Sequence, residues 1–134
     1  MNKEEGIYIE LEVEFSSAHS LPYDYSKKCS NTHGHNYTAR VRFRYTIPDK
    51  VKYIDKHILE DIIKKVLDSK YDHKDINRTV FGNNKLPSTA ENIATQLYED
   101  INTELQNTEY KDYIELTQIE LNEVKDFTVI YKIR

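Results

Sequence analysis

Cysteine, glycine, proline and tryptophan are all scarce: the 134 residues hold one cysteine, three glycines, three prolines and no tryptophan. A lone thiol cannot close an internal disulfide, which excludes a disulfide-stapled scaffold. No segment nears the roughly 18 consecutive apolar residues of a membrane helix. The opening Met1-Asn2-Lys3-Glu4-Glu5-Gly6 carries no apolar signal core, so a reducing cytoplasm is the expected setting. Basic excess is missing too: 19 Lys+Arg against 23 Asp+Glu leave a formal net charge of -4, with the cations scattered. That pattern argues against a polynucleotide partner. Repeats, linkers and low-complexity tracts are also lacking, and the length suits one domain spanning 1–134.

What is present is strong periodicity. Over 7–15 the apolar residues Ile7, Ile9, Leu11, Val13 and Phe15 alternate with Glu10, Glu12 and Glu14, the pattern of a half-buried strand. A second strand over 36–47 puts Tyr37, Ala39, Val41, Phe43 and Tyr45 on one face and Arg40, Arg42 and Arg44 on the other. Paired antiparallel, the two strands would bring glutamates and arginines together as cross-strand neighbours. The connection over 20–32 is then a loop held between two strands, a good setting for a site.

A helix is expected over 54–69, its stripe formed by Ile58, Leu59, Ile62, Ile63, Val66 and Leu67. A second follows Pro87, where Ser88-Thr89-Ala90-Glu91 fits a capping box. Two strands close the chain. The apolar phase of 113–123 changes between Leu116 and Ile119, which places a bulge near Thr117 and Gln118. Phe127, Val129, Tyr131 and Ile133 then alternate to the end. The order ββααββ predicts an α+β fold, a four-stranded antiparallel sheet with two helices on one face. Its charged other face and open edges predict closure with further copies of the chain into a barrel.

The chemistry concentrates in Cys29-Ser30-Asn31-Thr32-His33-Gly34-His35. In an extended strand His33 and His35 project to the same side. His19, at the end of Phe15-Ser16-Ser17-Ala18-His19, can lie beside them and complete a three-imidazole set. Three neutral imidazoles leave a zinc ion an open fourth position, the mark of a catalytic rather than structural site. A lone histidine such as His57 is read as structural. Cys29 is either an inert thiol or, following Lys27 and Lys28 in a polar loop, a reactive thiolate. Asp72-His73 either ends the first helix or forms a pair in which Asp72 orients His73 for proton exchange with Cys29. Ser88 and Glu91 have a sufficient role in the capping box, while Thr89 sits at an amide-rich helix start able to hold a polar ligand. Glu123 either lies exposed or is buried against a donor pair such as the N–H/NH2 edge of a heterocycle.

Together these segments resemble the 6-pyruvoyl-tetrahydropterin synthase / 6-carboxytetrahydropterin synthase family over nearly the whole chain. F-S-S-A-H-S-L resembles its first zinc-ligand strand, C-S-N-T-H-G-H-N-Y its cysteine and H-G-H element, and S-T-A-E-N-I-A its T-x-E-N helix start. Y-D-H-K-D-I-N is similar to its L-D-H-x-x-L-N loop, with Tyr71 where the pattern has leucine. The resemblance implies that His19, His33 and His35 bind zinc, Cys29 transfers a proton, Asp72 and His73 are its relay and Glu123 anchors a pterin. It also implies the tunnelling fold, in which trimers form a barrel and stack as homohexamers with sites between subunits.

The implied substrate is 7,8-dihydroneopterin triphosphate. The three residues between Cys29 and His33 resemble the carboxytetrahydropterin branch of queuosine biosynthesis. That branch is a carbon-carbon lyase releasing acetaldehyde and triphosphate. Two alternatives stand beside it: a 6-pyruvoyl-tetrahydropterin synthase that keeps the side chain, and a zinc- and pterin-binding protein without turnover.

Overall fold

A computed structural model describes residues 5–22, 30–46, 53–83, 85–124 and 126–133. Strands β1 (Ile7–His19) and β2 (His33–Tyr45) form a long antiparallel ladder. They lead to α1 (Lys56–Val66), the short β3 (Lys74–Asp75), the single turn α2 (Ile76–Thr79) and the long α3 (Ala90–Gln106). Strands β4 (Ile114–Val124) and β5 (Phe127–Lys132) complete the chain. The sheet order is β3-β1-β2-β4-β5.

The two faces of the sheet differ as the alternation predicts. Phe15, Tyr37, Ala39, Val41 and Phe43 are buried beneath the helices, with Leu59, Ile63, Ile93, Leu97 and Ile101 facing them. Each fully buried aliphatic or aromatic chain of this kind contributes about 1.5–3 kcal/mol. On the opposite face Glu10 pairs with Arg42 and Glu12 with Arg40 in the register. The Arg40 guanidinium reaches Glu12 at 3.2 Å and Glu120 at 3.6 Å.

The helices sit where their apolar stripes direct them. α1 starts on Asp55, whose carboxylate accepts from the His57 amide at 2.8 Å, and buries Leu59, Ile62, Ile63 and Val66. α3 packs against β4, β5 and α1, and Tyr98 ties it to the sheet by donating to the Leu116 carbonyl at 3.0 Å. Among the described residues no helix is long and apolar enough to cross a membrane.

Four expectations need correction. The sheet has five strands, because the chain after α1 turns back beside β1 and pairs Lys74 with Ser17 and Asp75 with Ala18 in parallel. The helix expected over 54–69 ends at Val66 and widens into a π-turn over Leu67–Tyr71, where the Asp72 amide donates to the Leu67 carbonyl at 2.7 Å. The second strand begins three residues earlier than its apolar alternation suggests, at His33, while Ile47 lies outside the described residues. The capping box does not form: α3 is capped by Thr89, which accepts from the Asn92 amide at 3.4 Å, because Ser88 is turned inward and bonded elsewhere. The bulge near Thr117 is present, with Arg42 opposite Gln118 and Phe43 opposite Leu116.

Candidate active site

The β1–β2 register builds the centre of the site. His19 stands directly opposite His33, and Ser17 opposite His35. All three imidazoles therefore rise from the helix-facing side at the end of the ladder, on the same face as Phe15 and Tyr37. Their ring centroids are 4.7, 5.2 and 4.8 Å apart pairwise. One ligand nitrogen from each lies within 4.8 Å of the others. Tetrahedral zinc at ordinary Zn–N lengths would want these nitrogens about 3.3 Å apart.

The hydrogen bonds behind the rings suit metal binding. His19 Nδ1 faces the Ser88 carbonyl at 2.9 Å and His33 Nδ1 the Asn31 carbonyl at 2.8 Å. A carbonyl only accepts, so each Nδ1 carries a proton, and in the neutral ring Nε2 then presents its lone pair. His19 Nε2 is buried and has no hydrogen-bond partner. Burial pushes the His19 imidazole down to about 4, against the raising effect of the Ser88 bond, so the ring is neutral across the physiological range. A neutral, preoriented, unsatisfied nitrogen between two more imidazoles is what a divalent zinc ion requires, and the residues present fit it.

Glu123 completes this end of the sheet. It follows the buried Ile119 and Leu121 by strand alternation, which sets it on the histidine face, at a register shift against β5 between Asn122 and Val124. The carboxylate lies 3.2 Å from His35 Nε2 and 3.8 Å from His19 Nε2, and burial pushes its pKa up. It is largely buried rather than a solvated loop carboxylate.

The Asp72-His73 pair approaches from the other side. Asp72 Oδ1 accepts from the Ser16 amide at 2.9 Å and its Oδ2 lies 3.0 Å from His73 Nδ1. The Ser16 bond, more than His73, draws the Asp72 carboxyl below its ordinary value. His73 adopts the left-handed region at φ 59, and its amide donates to the Ser16 carbonyl at 2.6 Å. These bonds hold an exposed imidazole at a cavity of about 440 Å³ that His35, Asn36 and Ser17 also line. His35, alone of the three clustered histidines, thus shares this cavity with His73.

Thr89 is buried, its hydroxyl oxygen accepting the α3 cap bond from the Asn92 amide. His57 is exposed on α1, 3.5 Å from Glu60, away from this cluster. Cys29, with Lys27 and Lys28, lies outside the described residues. Sequence reading overlooked the backing residues Asn31, Ser88 and Ser16. Ser88 was absorbed by a capping pattern, and a backbone carbonyl leaves no signal in residue type.

A family model described as 6-pyruvoyl tetrahydropterin synthase matches residues 8–133. This chain belongs to that family. It is 31% identical over 98 residues to a putative 6-carboxy-5,6,7,8-tetrahydropterin synthase of Archaeoglobus fulgidus, covering 73% of this chain and 78% of that one. It is 26% identical over 128 residues to the 6-pyruvoyl tetrahydrobiopterin synthase of Dictyostelium discoideum, covering 88% and 90%. Among solved structures, the Caenorhabditis elegans 6-pyruvoyl tetrahydropterin synthase matches with a TM-score of 0.78 at 25% identity, both chains being covered in full. Family members similar to this chain thus carry two product names.

Proposed function

We propose that this member of the family is a zinc-dependent lyase that converts 7,8-dihydroneopterin triphosphate to 6-carboxy-5,6,7,8-tetrahydropterin. Water is taken up, and acetaldehyde and triphosphate leave. The observation that carries the reading is the convergence of His19, His33 and His35 with Glu123, His35 also lining the cavity that His73 borders.

His19, His33 and His35 would hold the ion, through Nε2 in the case of His19 and His33. When bound, it supplies Lewis acidity toward the substrate's side-chain hydroxyls, easing proton removal at the attached carbon. Glu123 would anchor the pterin by accepting from its N–H/NH2 edge, a role suited to a buried carboxylate that needs paired donors. Cys29 is assigned the proton transfer between side chain and ring. His73 would exchange protons with it, and Asp72, held as a carboxylate by the Ser16 amide, would orient His73 through Nδ1 and leave Nε2 for that exchange. Thr89 would contribute at the amide-rich start of α3, which its own hydroxyl caps.

Two points favour the carboxy product: the short spacing from Cys29 to His33, and the likeness to the archaeal relative. The likeness to 6-pyruvoyl synthases supports the second reading, triphosphate elimination with the side chain kept. Purified protein loaded with zinc and given 7,8-dihydroneopterin triphosphate separates them. Acetaldehyde released in step with substrate loss supports the first, and substrate loss without acetaldehyde supports the second. No turnover by zinc-loaded protein would leave binding alone. The assembly is proposed to be a homohexamer built from trimers, consistent with β3 covering only two residues of the β1 edge.

A further inference from the structure

We propose that Asn77 is a positioning residue for His19, clamping the end of β1 to the segment before α3 so that the Ser88 carbonyl stays against His19 Nδ1 and Nε2 stays free for metal. The inference rests on the metal reading of the three histidines.

Asn77 belongs to α2 and is 93% buried, its own amide capped by Asp75 at 3.2 Å. Its carboxamide engages both backbone groups of Ser20, the residue after His19. Oδ1 accepts from the Ser20 amide at 3.1 Å, and Nδ2 donates to the Ser20 carbonyl at 2.9 Å. Reversing the carboxamide would set oxygen against oxygen, so this orientation is fixed by its partners. The same Oδ1 lies 3.0 Å from Ser88 Oγ, which also lies 3.2 Å from the Ser20 carbonyl and 3.2 Å from His19 Nδ1. Asn77 therefore joins Ser20 to Ser88, the two positions flanking the His19 ring.

Deleting the clamp lets these two segments separate. His19 Nδ1 then loses its 2.9 Å partner, and the tautomer presenting Nε2 is no longer enforced. Ser88 cannot substitute for Asn77, because its hydroxyl has one proton for two acceptors, the Ser20 carbonyl and Asn77 Oδ1, whereas the carboxamide meets both the amide and the carbonyl of Ser20. Asn77 touches no reacting atom in this scheme and acts through His19.

The test uses the whole protein and reads metal rather than turnover. Zinc affinity is measured by chelator competition for the parent, His19→Ala, Asn77→Ala and Ser88→Ala, and the cobalt-substituted forms are compared by visible absorption. Asn77→Ala is expected to weaken zinc about 10–100-fold and to alter the cobalt spectrum. Ser88→Ala, which keeps the carbonyl, is expected to have a smaller effect. Parent-like zinc affinity and cobalt spectrum in Asn77→Ala would overturn the inference, even with a lowered melting temperature. A parent whose zinc affinity is indifferent to His19→Ala would instead overturn the metal reading beneath it. If Asn77→Ala does not fold, nitrogen NMR of metal-free parent protein decides: His19 protonated on Nδ1 is required, and protonation on Nε2 sinks the proposal.

Discussion

His19 and His33 face each other across the β1–β2 ladder, their rings 4.7 Å apart. This follows from register alone. The 13 cross-strand pairs that run from Ile7–Tyr45 to His19–His33 keep each odd residue of β1 opposite an odd residue of β2. The alternation that buries Phe15 and Phe43 therefore also aims the imidazoles. Core and site are one periodic pattern, which changes from apolar side chains to imidazoles at the His19–His33 end of the ladder.

Loss of any one imidazole should break the metal site without unfolding the chain. His33→Ala and His35→Ala are the cleaner variants, since His19 is almost fully buried. Removing a ligand exceeds the 10–100-fold effect typical of a backing residue, so zinc should weaken by at least about 100-fold. Metal content after dialysis, together with far-ultraviolet circular dichroism, checks this. Undiminished zinc in either variant would refute the ligand set. Chelator treatment of parent protein should abolish turnover, and added zinc should restore it.

The Asp72 carboxyl should make stability depend on acid. Its folded pKa is lowered, so the unfolded chain takes the proton first as pH falls. The stabilisation is thus present above the ordinary carboxyl value of 3.8 and is lost as pH falls below it toward the folded value. Asp72→Asn keeps an oxygen for the Ser16 amide but removes the charge. In metal-free protein the gap between the urea midpoints of parent and variant should narrow as pH falls below 3.8. For this partly solvated group the difference should be below about 1 kcal/mol. A gap that stays constant to pH 3 would contradict the linkage.

The parts of this fold that were readable in the sequence share one property: each repeats. Long strands, the α1 and α3 stripes and the Thr117 bulge all follow from side-chain period, including its interruption. β3 was not readable, because two residues, Lys74 and Asp75, cannot display a period. The π-turn over Leu67–Tyr71 was missed for a related reason: it continues an apolar run, and only the hydrogen-bond ladder distinguishes it. Within the site, His33 and His35 announce themselves by i, i+2 spacing. Asn77 and Ser88 do not, since their roles depend on backbone groups brought together from distant segments.

Removing Thr117 should be tolerated better than removing its neighbour Glu120. Thr117 is the extra residue where Arg42 pairs with Gln118 and Phe43 with Leu116. Without it, Ile114, Leu116, Ile119 and Leu121 fall into unbroken alternation and all keep facing the core. The cost is confined to bonds such as that from Thr117 Oγ1 to the Arg42 carbonyl at 3.0 Å, about 1–3 kcal/mol in sum. Deleting Glu120 instead turns Leu121 outward and slips the register beyond it. Its loss of one buried leucine alone is about 2–5 kcal/mol. Urea melts of the two deletions should rank them in that order, and equal midpoints would dismiss this account of the bulge.

Glu123→Gln separates a substrate anchor from a metal ligand. The carboxylate sits 3.2 Å from His35 Nε2, close enough that either role is geometrically open. As an anchor, it accepts two hydrogen bonds from the pterin edge, and glutamine sets an amide N–H against one of those donors. Losing charge-assisted bonds of this kind costs about 2–4 kcal/mol, or roughly 30- to 1,000-fold in kcat/KM. Zinc affinity, held by three imidazoles, should then change by less than about threefold. The same variant should bind a pterin product analogue weakly in equilibrium titration, because the anchor acts in the ground state as well. A Glu123→Gln protein that loses zinc but binds the analogue normally would move Glu123 from the pterin to the ion.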